Sequence, residues 1–105
     1  MKQPFHPALD AVGLTDVLGA LSDPVRLQIV SILAEGGPRT CGEFDLPIAK
    51  STLSHHMKVL REAGILASKA DGTRCFVSLR PELDERFPGL LRQVLSLAER
   101  TEARA

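Results

Sequence analysis

Three features of this 105-residue chain predict a mainly α-helical fold with one small β-hairpin. The first is the stretch Ile48 to Leu66, IAKSTLSHHMKVLREAGIL, in which Leu53, Met57 and Leu60 recur at i, i+4 and i+7 and form the apolar stripe of an amphipathic helix. The second is the punctuation after that helix. Gly64 is a stop signal, and Asp71-Gly72 is a hairpin turn between two runs of alternating residues. The third is composition: with four Phe and no Trp or Tyr, the core must be built from Leu, Ile, Val and Ala, which favour helices. Helix, stop, hairpin is the order of a winged helix-turn-helix. The succession expected over the chain is α-α-α-α-β-β-α, in one domain spanning residues 1–105.

Met1 to Pro7 contains two prolines and is expected to be a loose tail. A first helix is expected from about Ala8 to Ala20, although Gly13 and Gly19 weaken its stripe of Leu9, Val12, Val17 and Leu18. Ser22 or Asp23 can cap a second helix, with Pro24 where a first-turn proline is tolerated. That helix carries Leu27, Ile29, Val30, Ile32 and Leu33 around most of its circumference, so it belongs at the centre of the core, and Gly36-Gly37-Pro38 ends it. Thr40 to Leu46 can hold a helix of one or two turns that Pro47 terminates. A turn through Pro47-Ile48-Ala49 then leads into the helix from about Lys50 to Ala63, completing the short helix, tight turn, longer helix pattern. Ile65, Ala67 and Lys69 begin the first strand, and Arg74 to Leu79 make the return strand. Pro81 opens a last helix running to about Thr101, which Pro88-Gly89 kinks or divides.

At this size folding removes roughly two-thirds of the unfolded chain's surface from water. The terminal stripe of Leu83, Phe87, Leu90, Leu91, Val94 and Leu95 is too apolar to be covered from within so small a chain. The segment 81–101 is therefore expected to be a dimerisation helix, meeting its mate and, through Leu9 and Val12, the first helix.

The formal net charge is zero, yet the distribution is uneven. From Lys50 to Arg80 there are six basic residues (Lys50, Lys58, Arg61, Lys69, Arg74, Arg80) and two acids (Glu62, Asp71), a local excess balanced by acidic flanks. This block coincides with the amphipathic helix and the hairpin. The polar face of the helix, with Ser51, Ser54, His55, Lys58 and Arg61, offers short hydroxyls, an imidazole and cations, the groups that suit phosphates and base edges in a DNA major groove. Lys50, Ser51, Thr52, Ser54, His55, Lys58 and Arg61 are the expected contacts from the helix, and Lys69, Thr73 and Arg74 those from the hairpin. His56, three residues after Leu53 and four before Leu60, points to the core side and is expected to be packed and hydrogen-bonded.

Three segments carry a likeness to a known family. Ala20 to Ile29 (ALSDPVRLQI) resembles the start of the second helix in the ArsR/SmtB family of small prokaryotic winged-helix repressors. Ser51 to Gly64 (STLSHHMKVLREAG) resembles that family's recognition helix, and Asp71 to Arg74 (DGTR) its wing tip. The likeness covers about Leu14 to Leu97. It implies a dimer with a β-wing that binds double-stranded operator DNA and is released by a ligand, a chemical signal or a co-regulator. The departures are equally specific. Many members place a Cys-x-Cys ahead of the recognition helix, whereas Thr40-Cys41-Gly42-Glu43 holds a single cysteine between the positions expected to ligate. Others place Asp and His ligands on the last helix, which here has no His. The segment Glu43 to Ala49 looks shortened, and Ala49 stands where a capping Ser is usual, forgoing ~1 kcal/mol of capping.

No metal site made by one chain and no cofactor is expected. His6 and Asp10 joining Cys41 across a dimer is the one arrangement weighed. No Gly-rich phosphate loop, GxSxG or paired carboxylates in an evident cleft points to catalysis. No apolar run approaches the ~18 residues of a membrane span, and no secretory leader is evident, so the chain reads as cytoplasmic with reduced thiols. Cys41 and Cys75 read first as small hydrophobes. A redox pair would need their Cα atoms within about 7 Å, which is possible if the stretch before Gly42 runs beside the return strand. The expected function is that of a sequence-specific DNA-binding regulator, a dimeric repressor by the family likeness. The alternatives are a winged-helix protein-interaction module or a thiol-based redox sensor using Cys41 and Cys75.

Overall fold

A computed structural model describes residues 5–101. After a single 3₁₀ turn at Leu9–Ala11, the chain forms α1 (Leu14–Ala20), α2 (Pro24–Gly36), the short strand β1 (Arg39–Thr40), a second 3₁₀ turn at Cys41–Glu43, and α3 (Lys50–Glu62). The strands β2 (Leu66–Asp71) and β3 (Arg74–Leu79) come next, then α4 (Glu82–Arg86) and α5 (Leu90–Thr101). The sheet is antiparallel with β3 in the middle, in the order β1-β3-β2.

Asp23 begins α2. Its Oδ1 accepts from the backbone N–H groups of Val25 at 2.8 Å and Arg26 at 3.1 Å, so two of the helix's orphan donors are satisfied, and Pro24 fills the first turn where no N–H is needed. The α1–α2 break turns the chain through 101°, which lays α2 across the molecule. Ile29 and Val30 of α2 are fully enclosed, together with Val17 of α1, Leu60 of α3, Ile65, Leu66 and Val77. Each such side chain contributes about 1.5–3 kcal/mol of burial, so α2 is the element on which α3 and β3 are assembled.

The end of α3 is a Schellman motif. The N–H of Ile65 donates to Leu60 O (3.1 Å) and that of Gly64 to Arg61 O (3.0 Å), with Gly64 at φ +82°. The chain passes from there straight into β2, so helix and hairpin form one continuous unit. At the hairpin tip Asp71 faces Arg74, and Gly72 and Thr73 form the turn. Gly72 has φ +64° and no other residue there has positive φ, the pattern of a type II′ turn. The turn is thus centred one residue later than Asp71-Gly72.

Several expectations need correction. The first helix does not run unbroken from Ala8. Gly13 is extended and serves as the N-cap of α1, its N–H donating to Asp16 Oδ2 at 2.8 Å, and so only a 3₁₀ turn precedes it. The helix expected within Thr40 to Leu46 is reduced to the turn Cys41–Glu43. Phe44 is extended (φ −87°, ψ 110°) and buried, and Pro47 holds a tight turn closed by Ile48 N–H to Leu46 O at 2.8 Å, leaving no room for a second helical turn. Arg39 and Thr40 become a third strand instead. The segment 81–101, by contrast, is divided into two helices at Pro88-Gly89 as expected, because Phe87 leaves helical conformation before Pro88 and Gly89 takes φ +75°.

The tail is also not loose where it is described. Two arginines hold it and a third holds the segment that follows. Arg61 Nε donates to Phe5 O at 2.9 Å, Arg80 Nη1 to Pro7 O at 2.7 Å, and Arg86 Nη2 to Val12 O at 3.1 Å. His6 Nε2 accepts from the backbone N–H of Ser68 in β2 at 2.9 Å. The remainder of the expected tail, residues 1–4, lies outside the described residues.

Candidate nucleic-acid interface

Two faces of α3 have different tasks. His56, Met57 and Leu60 are buried against the core, whereas Lys50, Ser51, Thr52, Ser54, His55 and Lys58 are exposed along the outer face and the first turns. The helix N-terminus presents unpaired backbone N–H groups and the positive end of the helix dipole. Ala49 supplies no side-chain cap, so nothing from the N-cap residue occupies those donors. An anion approaching this end meets backbone donors, hydroxyls and ammonium groups together.

His56 fixes the angle of α3 on α2. Its Nδ1 lies 3.2 Å from Arg26 Nη1, and Arg26 Nε donates to Ala20 O at 2.6 Å, so one guanidinium ties the end of α1 to α3. Arginine can only donate, which makes His56 Nδ1 the acceptor and puts the ring proton on Nε2. Burial opposes the charge on nearby Asp23. The N–H groups of Arg26 and Val25, and the positive charge of Arg26, outweigh it and hold the carboxyl below its ordinary value. The packed histidine was legible from spacing. The arginine that holds it was not, because the two are 30 residues apart.

Lys69, Thr73 and Arg74 are exposed on the hairpin, the last two at its tip. The structure therefore brings nine of the ten expected contacts onto the outer faces of α3 and the wing. Arg61 differs: it is half-buried and its Nε is engaged by Phe5 O, which turns it to the N-terminal segment. Val12 and Leu83 sit in the chain's own core, 3% and 2% exposed, and cannot be the surface of an interface. Leu9, Phe87, Leu90, Leu91, Val94 and Leu95 are partly covered. Leu14 and Leu18, one turn apart on α1, and Leu97 on α5 are exposed apolar side chains outside the predicted terminal stripe. Among the described residues no three of His, Cys, Asp and Glu converge as metal ligands. No single described helix is long and apolar enough to cross a membrane.

A helix presented N-terminus outward beside a cationic β-wing defines the class of winged-helix DNA-binding regulators, and comparison with known proteins narrows it. The helix-turn-helix domain family matches residues 21–69, from the end of α1 through α3 into the wing. The chain is 40% identical over 79 residues to the uncharacterized HTH-type transcriptional regulator YceK of Bacillus subtilis, covering 71% of this chain and 79% of that one. It is 33% identical over 70 residues to the arsenical resistance operon repressor of Staphylococcus xylosus, covering 66% and 67% of the two chains. The crystal structure of Mycobacterium tuberculosis Rv0081 superposes with a TM-score of 0.63 at 27% identity, over 86% of this chain and 85% of that one. The chain belongs to the ArsR family of DNA-binding helix-turn-helix transcriptional regulators.

Proposed function

We propose that the protein is a homodimeric, sequence-specific repressor that places the N-terminal half of α3 in the major groove of operator DNA. The observation that carries this is the exposed row Lys50, Ser51, Thr52, Ser54, His55 and Lys58 on a helix whose other face is locked by Arg26 and His56. Ser54 and His55 lie nearest the base edges. Lys58 and, on the wing, Lys69, Thr73 and Arg74 take phosphates. The repressor assignment draws on the S. xylosus relative, whose name states that role. A signal or co-regulator releases the complex, and the protein acts in the cytoplasm, where its operator is.

The dimer forms through α1 and α5. Leu14, Leu18 and Leu97 are exposed there, and a groove of about 380 Å³ between α2 and α5, walled by Ala34, Leu91 and Leu95, receives the partner's helix. Two-fold symmetry then sets two copies of α3 about 34–36 Å apart, matching a palindrome.

The test is selection of bound duplexes from a random DNA pool by the full chain, followed by gel shift against the selected and scrambled sequences. A palindromic consensus bound by a dimer is the expected result. Failure to enrich any sequence, with no shift at low salt, overturns the reading and leaves a protein-interaction module.

A further inference from the structure

Arg39 pairs with Val77 and Thr40 with Phe76 across β1 and β3. Cys41 follows Thr40 directly as the first residue of the 3₁₀ turn, and one further step along that register brings it beside Cys75. Directly opposed residues of antiparallel strands have Cα atoms about 4.5–5.5 Å apart, inside the roughly 4.4–6.8 Å that a disulfide spans. The two thiols lie close enough to influence each other's ionisation. Both are partly exposed, and a cavity of about 590 Å³ between the turn Thr40 to Glu43 and the strand end Thr73 to Phe76 opens onto them. Two cysteines that are distant in sequence thus meet near the tip of the wing, and the loop between them contains the whole of α3 and β2.

We propose that Cys41 and Cys75 form a dithiol site that a hydroperoxide closes to a reversible disulfide, stapling the wing to the turn ahead of α3. Burial, with the Cys75 thiol beside it, pushes the Cys41 thiol up to about 11, so Cys41 keeps its proton and acts as the resolving sulfur. The Cys75 thiolate attacks the outer oxygen of the peroxide. The O–O bond breaks, the alkoxide leaves and takes a proton as the alcohol, and Cys75 becomes a sulfenic acid. The Cys41 sulfur then attacks Cys75 Sγ. The S–S bond forms as the S–O bond breaks, and the hydroxide leaves as water with the proton from Cys41. Two thiols are oxidised, one peroxide is reduced, and alcohol and water are the products. The consequence for DNA rests on the operator-binding reading: closure fixes Arg74, the neighbour of Cys75, relative to α3, and weakens operator binding by about 5- to 150-fold, the usual range of coupling between sites.

The experiment treats the reduced full chain with hydrogen peroxide and tracks intact mass, non-reducing peptide maps and Tm. The expected product has lost two hydrogens, joins the Cys41 and Cys75 peptides within one chain, melts at higher temperature and returns to the dithiol with dithiothreitol. Cys41→Ser should stop at a Cys75 sulfenic acid that dimedone traps, whereas Cys75→Ser should leave Cys41 unmodified over the same interval. Sulfinic or sulfonic acid without a cross-link, or a disulfide only between chains, overturns the proposal. The wild-type map decides even if a serine variant fails to fold. Gel shifts of reduced and oxidised protein on one selected operator separate the two claims. An unchanged affinity on oxidation removes the regulatory consequence. Reduced protein that binds no DNA removes the operator reading while the mass and peptide map still decide the disulfide.

Discussion

Arg74 is exposed at the tip of the wing and His55 on the outer face of α3, and they test different parts of DNA recognition. A phosphate contact carries no sequence information, so Arg74→Ala should weaken binding to every duplex alike. The slope of log K against log[salt] should fall by about 0.9 for each phosphate that is no longer neutralised. His55→Ala should instead shrink the gap between operator and scrambled DNA, by roughly 1–3 kcal/mol per affected base pair. Salt titrations of both variants on both duplexes give the answer. An Arg74 variant with an unchanged slope, together with a His55 variant of unchanged discrimination, would mean that another surface meets the DNA. Asp23 carries a different kind of dependence. Its folded value lies below that of the unfolded chain, so its contribution is present above the unfolded value of about 3.9 and is lost as pH falls through the folded one. Asp23→Ala should lower stability by about 0.5–2 kcal/mol at neutral pH. The stability difference between wild type and Asp23→Asn should shrink on acidification in urea melts, and a difference that stays constant down to acid pH would remove the carboxylate from the account.

At the level of elements, Gly64 joins helix to wing under two constraints. Its φ of +82° is a conformation that other residues adopt only under strain, and a Cβ there would stand 2.9 Å from Val12 Cγ2. Gly64→Ala should therefore cost at least ~1 kcal/mol, by the helix-end strain alone, and more if Val12 cannot give way. Chemical denaturation measures it, and a neutral substitution would show that the turn relaxes freely. This junction was legible in the sequence because a periodic stripe ended at a glycine followed by alternating residues. Elsewhere local signals competed. Ala8 to Ala20 has an approximate stripe, but Gly13 made a better cap than a helical residue. Between Cys41 and Pro47 a glycine, a buried phenylalanine and a proline leave room for one turn. Strand β1 has two residues and no alternation of its own, and it exists because β3 offers it an edge. The arginines that bind Phe5, Pro7 and Val12 reach across 56, 73 and 74 residues, so no window of local sequence contains both partners. The outer-face exposure of the expected contacts was legible because they lie on two contiguous elements. Arg61, engaged by Phe5 O across 56 residues, is half-buried for a reason that no local window contains.

For the whole molecule, the uncompensated quantity is apolar surface on α1 and α5. Leu97 is 56% exposed, Leu14 46% and Leu18 43%, whereas the sheet side is closed by Val77, Leu66 and Ser68. A stable interface buries about 1,200–2,000 Å², and the proposed dimer draws that area from these helices. Leu91→Asp with Leu95→Asp should give a monomer that binds DNA weakly, because each half-site contact alone forgoes the gain of linkage. Light scattering behind gel filtration reads the mass, and a wild type that is monomeric at micromolar concentration would end the dimer proposal.

The N-terminal segment has a bearing on how copies of this chain can meet. An open strand edge is a template on which another chain can add its own strand, in a register that nothing limits. Strand β2 is such an edge, and the imidazole of His6 takes the Ser68 N–H there, while β1 at the other edge offers two residues. With both margins blunted, growth of the sheet from molecule to molecule is discouraged and the leucine faces of the helices are left as the adhesive surface. For the proposed dimer, this favours a closed pair over an open-ended fibre.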